Sequence, residues 1–136
     1  MISIGNNSDL GSNCFVVGEV NIGNDVKMAF DVFITSMNRD FSKTHQTIWA
    51  DGNRPIAPVT IHDDVFLAAR SIVLAGVTIG EHVVESVVSK DVPSWCVLAG
   101  NPAQIVKWRK EMDSNYDPNT MTPLSEKLRK QYEECQ

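Results

Sequence analysis

Large aliphatic residues recur every six positions along this chain. Ile4, Leu10, Val16, Ile22, Met28 and Ile34 form one run, and Ile61, Leu67, Val73 and Ile79 resume it after a gap. The following residue is often small, as at Gly5, Gly11, Gly23, Ala29, Ala68 and Gly80. Four residues after each aliphatic stands another small or β-branched residue: Ser8, Cys14, Val20, Val26 and Val32, then Val65, Ser71, Val77 and Val83. A period of six fits neither the 3.6 of a helix nor the strict alternation of a half-buried strand. It fits short strands joined by sharp corners, with every sixth residue pointing inward. Gly, Asn and Asp relieve the backbone at the bends. One six-residue side cannot bury its aliphatic alone, so successive coils must stack into an apolar column with a parallel ladder. The competing reading is a β-sandwich with accidental spacing. Ten aliphatics in one register weigh against it.

The register breaks between Ile34 and Ile61, whose separation is not a multiple of six. The surplus lies in "NRDFSKTHQTIWADGNRPIAP", Asn38 to Pro58, whose polar residues, Gly52 and two prolines predict a loop extruded from the coil. A long loop on a rigid scaffold points to function. After Lys107 the chain turns polar. Thr122 can cap a helix with Pro123 at its first position, and Leu124, Leu128 and Tyr132 make one apolar stripe. The pattern therefore predicts a β-helix domain over residues 1–108 and a C-terminal extension over 109–136. The extension carries a helix over about 123–134, which can cover the open end of the coil or reach a neighbouring subunit.

Composition narrows the function classes. Twelve Lys and Arg against seventeen Asp and Glu give a net charge of −5, which argues against a general nucleic-acid binder. No apolar run reaches the length of a membrane span. "MISIGNNSDLG" lacks the basic and apolar regions of a secretory signal. Cys14, Cys96 and Cys135 are odd in number and far apart, with neither metal-ligand spacing nor a disulfide framework. A reducing cytoplasm is the simplest setting.

The six-residue register, with "VTIHDDVFLAARSIVLAGVTIGEHVV" and "KDVPSWCVLAGNPAQIVK", resembles the hexapeptide-repeat acyltransferases, specifically the maltose, galactoside and exopolysaccharide O-acetyltransferase group. The likeness covers about residues 2–108. It implies an all-β, left-handed parallel β-helix, a homotrimer with active sites between subunits, and acetyl transfer from acetyl-CoA to a hydroxyl, commonly on a sugar, without a metal. Many relatives carry a leader before the repeat, whereas this chain enters it at Ile4.

Such transfer needs a base for the hydroxyl proton, donors for the oxyanion, an apolar groove for the pantetheine arm and cations for its phosphates. Close relatives read Asn-His-Asp-Phe where this chain reads Asn38-Arg39-Asp40-Phe41, so the resemblance places the catalytic histidine at Arg39. Arginine has no acceptor and keeps its proton, although it can bind an anion or hold an acceptor's oxygen. His45, a little further on, is the only histidine in the loop, and the alternative for it is an exposed loop residue. His62 and His82 read as corner residues. The resemblance carries the pantetheine and phosphate contacts to Ala69, Ser89 and Lys90. Lys107, Arg109 and Lys110 can meet nucleotide phosphates or form a solvated basic turn. Trp95 and Trp108 read as packing residues, and Trp49 as a surface for a sugar or a neighbouring subunit.

A second departure lies in Val83-Val84-Glu85-Ser86-Val87-Val88, about three residues shorter than the family's segment, whose Gly-Ala-Gly backbone in relatives lies along the acetyl-CoA groove. Glu85 falls in the inward column, and a buried unpaired carboxylate is costly. The expectation is a register shift that turns Glu85 outward. Two functions are open: an acetyl-CoA-dependent O-acetyltransferase whose base is His45, a substrate group or a water, and a catalytically degenerate β-helix trimer that binds a ligand or partner without turnover. A third is transfer to another acceptor, such as an amine or a hydroxylated antibiotic.

Overall fold

The computed structural model describes residues 1–109. The expected helix over 123–134, and with it Lys110 and Cys135, lies outside the described residues. Short strands make up nearly all the regular structure. One face stacks β1 (Ile2–Ile4), β3 (Val20–Ile22), β6 (Val59–Ile61) and β8 (Thr78–Ile79) in parallel. A second sheet contains β2 (Phe15–Val17), β5 (Phe33–Thr35), β7 (Phe66–Val73) and β9 (Val84–Val88), all parallel, with β4 (Lys27–Met28) beside β7. β10 (Cys96–Ala99) continues this stack in parallel, and β11 (Gln104–Trp108) closes it antiparallel.

The pairing explains the six-residue period. Ile4 pairs with Ile22, and Ile61 with Ile79, so one turn is three six-residue sides. Three corners separate the sides. The first is turned by Asn7, Asp25, Asp64 and His82, and the second by Asn13, Asp31 and Arg70, all at positive φ between 53° and 63°. Asn and Asp enter this region most easily among residues other than glycine, so they dominate. Their side chains also link coils: Asn7 Nδ2 donates to Asp25 Oδ1, and Asn13 Nδ2 to Asp31 Oδ1, both at 2.6 Å. The third corner uses Gly18 at φ +92°, where a Cβ would collide with Ser36 Oγ.

Inward columns form the core. Ile22, Met28, Ile34, Ile61, Leu67, Val73 and Ile79 are buried, as are Val20, Val26, Val32, Val65, Val77 and Val83 of the companion column. The first coil differs. Ile4 is 45% exposed and Leu10 46%, because a described coil stacks on one side of them only. Inward direction becomes burial only with a neighbour on both sides.

Two irregularities interrupt the stack. Ile22 pairs with Ile61, which lies much more than one turn further along the chain, so a surplus segment lies between β5 and β6. The other irregularity corrects the sequence expectation for Glu85. Phe66 pairs with Val84 and Leu67 with Glu85, each one full turn on, but Ile72 pairs with Val87, three short of a turn. The loss therefore falls after Glu85, at the place of Ala68, Ala69 and Arg70 one coil below. Because Glu85 is still in register with Leu67, its side chain points inward and is fully buried. The second corner is absent from this coil. Ser71 fills the step, its hydroxyl oxygen lying 2.6 Å from Ala68 O and 3.1 Å from Glu85 O.

Candidate functional site

The surplus segment closes on itself at the third corner. Arg39 and Asn53 form an antiparallel bridge, Asp40 N donates to Gly52 O at 3.0 Å, and Arg54 N to Asn38 O at 2.9 Å. Ser36 O accepts from Ala57 N, and Ala57 O from Gly76 N, so the coil resumes directly across the base of the segment. Between the arms lies one short helical turn, α1 (Ile48–Asp51), capped by the Thr47 side chain.

Each arm carries an arginine over an aromatic ring. Arg39 Nη1 donates to Asn53 Oδ1 at 3.0 Å and Nη2 to Trp49 O at 3.4 Å, with the guanidinium 5.2 Å from the Trp49 ring centre. Asn38 Oδ1 accepts from Arg39 N. Arg54 lies 4.7 Å from the Phe41 ring centre and 3.8 Å from Asp40. The Ser42 backbone N–H and hydroxyl hold the Asp40 carboxyl below its ordinary value, with Arg54 and Lys43 adding to the effect. His45 sits in the exposed bend before Thr47, and its ring makes no hydrogen bond or ion pair with any described residue.

The remaining candidates stand elsewhere. Ser89 and Lys90 are exposed at the third corner, in the same column as the segment. Ala69 is exposed beside Arg70 at the second corner. Lys107 is exposed on β11, while Arg109 reaches the first corner, where Nη1 donates to His82 O at 3.0 Å and lies 3.4 Å from Asp64 Oδ2. One chain therefore distributes these residues over different corners rather than gathering them. Arg109 is held by protein groups instead of standing free in a basic cluster.

At the first corner His82 Nδ1 lies 2.7 Å from Asp64 Oδ2, and its ring stacks on Trp95 at 4.0 Å between centroids. Sequence reasoning took His82 as a corner residue and Trp95 as packing without joining them to Asp64. The spacing of Asp64 and His82, one full turn of the coil, was the available signal. The interior holds one further titratable pair. Among the described residues neither Glu85 oxygen has a hydrogen-bond partner, and burial raises its carboxyl well above the ordinary value. Burial and the nearby Glu85 also raise the Cys96 thiol. Among the described residues no three His, Cys, Asp or Glu side chains are grouped to hold a metal, and no helix is long and apolar enough to cross a membrane.

Comparison with known proteins gives these features a context. The family model described as the hexapeptide repeat of succinyl-transferase matches residues 1–36 and 58–84, the two runs flanking the surplus segment. The chain is 29% identical over 120 residues to galactoside O-acetyltransferase of Escherichia coli K12, an alignment covering 85% of this chain and 58% of that protein. The crystal structure of a maltose O-acetyltransferase from Clostridium difficile 630 matches with a TM-score of 0.71 and 29% identity, over 79% of this chain and 58% of that one. A galactoside acetyltransferase in complex with coenzyme A shares the fold at a TM-score of 0.61 and 19% identity, over 84% and 68% of the two chains. The chain thus spans a little under three-fifths of the first two relatives. The shared architecture is an all-β, left-handed β-helix. By its repeat, its coil and its relatives, this chain is a hexapeptide-repeat β-helix protein similar to the O-acetyltransferases built on that repeat.

Proposed function

We propose that this chain transfers an acetyl group from acetyl-CoA to a hydroxyl of a sugar or similar small compound. The observation that carries the reading is Asn38-Arg39-Asp40-Phe41 on a self-closed segment thrown out at the third corner, on a coil shared with galactoside and maltose O-acetyltransferases. The coil domain spans 1–108 and the extension 109–136. In the reaction the acceptor oxygen attacks the thioester carbonyl and its proton passes to a base. The carbon–sulfur bond then breaks, and the CoA thiolate takes up the proton. His45 suits the base, since its ring is exposed and unengaged, whereas Arg39 cannot accept a proton. Ala69, Ser89, Lys90, Lys107, Arg109 and Lys110 are the proposed donor contacts.

The distribution of the described ones over several corners favours sites completed by a second subunit in a homotrimer. The outer face between the second and third corners supports this. Phe15, Phe33 and Ile72 stack outward in register, with Phe15 58% and Phe33 40% exposed, an apolar ladder fit for another copy. The free thiols of Cys14 and Cys96 suit a reducing, cytoplasmic setting.

A second reading is a non-catalytic β-helix trimer. Arg39 at the base position and the missing counterpart of Ala69 in the last coil favour it. Thermal unfolding with millimolar acetyl-CoA separates the two, since a ligand that binds only the native state stabilises it. The transfer reading expects a rise in Tm and, with His45 as the base, loss of most turnover in His45→Ala; Arg39→His raises the rate only if Arg39 alone disables the site. An unchanged Tm selects the non-catalytic reading. Unchanged turnover in His45→Ala moves the base role to a substrate group or a water.

A further inference from the structure

We propose that Arg39, Trp49 and Asn53 form a subsite for an acidic sugar. Arg39 would pair with the sugar's carboxylate or phosphate, and the Trp49 ring would pack on its C–H face. This rests on the sugar-acceptor reading above and names the substrate class.

Charge pairing singles out Arg39. Of the four described arginines, Arg54 has Asp40 at 3.8 Å, Arg70 has Asp31 at 3.9 Å and Arg109 has Asp64 at 3.4 Å. Arg39 has no carboxylate within ion-pair distance among the described residues. Two neutral acceptors hold it instead, the Asn53 side-chain oxygen and the Trp49 carbonyl. These fix the fork in space, leave its charge uncompensated, and engage two of its five N–H groups. The segment's own carboxylates make no ion pair with Arg39: Asp40 serves Ser42 and Arg54 across the bridge, and Asp51 accepts from the Gln46 amide through Oδ1 while its buried Oδ2 has no hydrogen-bond partner among the described residues. Residues 38–58 thus carry Arg39, Lys43 and Arg54 against Asp40 and Asp51, a local positive excess on a chain of net charge −5.

The ring beside this cation is as unusual as the cation itself. Trp49 is 85% exposed, so the guanidinium 5.2 Å from its centre covers little of it. An ordered arginine edge next to an open indole face offers both halves of an acidic sugar a partner: a bidentate pair for the oxyanion and an apolar plane for the ring carbons. Arginine at this position then has a role that histidine would not fill, because a histidine offers neither the fork nor a permanent charge. The plain alternative is a clamp that only holds the segment closed.

Ligand-observed NMR on the full chain tests this with methyl glucuronide, methyl glucoside 6-phosphate and methyl glucoside, which share a ring and differ at carbon six. The wild type is expected to bind at least one acidic sugar about tenfold more tightly than the glucoside, and the order of the two acids tells carboxylate from phosphate. Arg39→Gln should bring all three to one affinity, and Trp49→Ala should weaken all three. Asn53→Ala loosens the fork but keeps the charge, so it should narrow the preference without abolishing it. Equal binding of the three sugars by the wild type, or none, overturns the proposal. So does a preference that survives Arg39→Gln or disappears in Asn53→Ala. Acetyl-CoA stabilisation on the same samples separates the two readings. With sugar selectivity but no stabilisation, the subsite stands and transfer fails. With stabilisation but no selectivity, transfer stands and the subsite fails.

Discussion

The segment added at the third corner and the residues lost from the second have opposite consequences for the coil. The addition leaves every register intact: Val20, Asn21 and Ile22 pair with Val59, Thr60 and Ile61 as if nothing intervened. The removal offsets the pairing by three residues beyond Leu67, with the unpartnered carboxyl of Glu85 on the near side of the offset. The difference is geometric. A corner can open outward, where water satisfies the extra backbone, and Ser36, Ala57 and Gly76 still hand hydrogen bonds across its base. A shortened corner pulls on the sides that meet there, and the side chain next to it keeps whatever direction its upstream pairing dictates. Insertion leaves the pairing as it was; deletion offsets it.

Variants in the two regions should separate accordingly. The largest effect is expected from Glu85→Leu, which continues the Leu67 column and removes an unsatisfied buried group. It should raise stability by about 3 kcal/mol at pH 7 in denaturant unfolding, and a loss would mean that the carboxyl has a partner. Next comes pH. The folded chain holds the Glu85 proton more tightly than the unfolded chain, whose ordinary value is 4.5. Stability should therefore be highest below that value and fall as pH rises from it toward the raised folded value. The limit is about 1.4 kcal/mol per pH unit. Glu85→Gln should flatten this component, and an unaltered slope would assign it to other groups. Asp64→Asn keeps a residue that tolerates positive φ while removing the charge facing His82 and Arg109. With Asp64 half-exposed, a loss of about 0.5 kcal/mol is expected in the same assay. The smallest change should follow excision of residues 38–58, which returns Val59 to one turn beyond Val20. The coil should keep its stability within about 0.5 kcal/mol and lose acceptor binding entirely. A collapse of Tm would break the contrast between addition and removal.

Much of this contrast was visible in the sequence, and its blind spots have physical causes. Burial imposes the six-residue period, so the column from Ile22 to Ile79, the polar corners and the position of the surplus segment could be counted. The same pattern cannot say whether a coil has a neighbour, which is why Ile4 and Leu10 read as core and stand half in water. It showed that residues were missing near Glu85 but not on which side of it. Either placement keeps Val87 and Val88 in apolar positions, and only the pairing of Phe66 with Val84 decides. For the candidate site, contacts one turn apart were readable in principle, as for Asp64 and His82. Arg39 meeting Asn53 across the segment depends on how that segment closes, and no period announces it.

The surplus segment also bears on the order of folding. Docking β6 on β3 must bridge a coil and the whole segment, where the other docking steps of its sheet bridge one coil alone. The loop to be closed is roughly doubled, which by loop-closure entropy costs about 0.7 kcal/mol more. The coils after the segment have shorter closures and neighbours on both sides, so residues 58–109 form the natural nucleus, and the first two coils join it late. Native-state hydrogen exchange would read this directly, with the amides of β1 and β2 opening first and those of β6, β7 and β9 only on global unfolding. A segment proposed to hold a ligand would thereby also mark the seam along which the molecule comes apart.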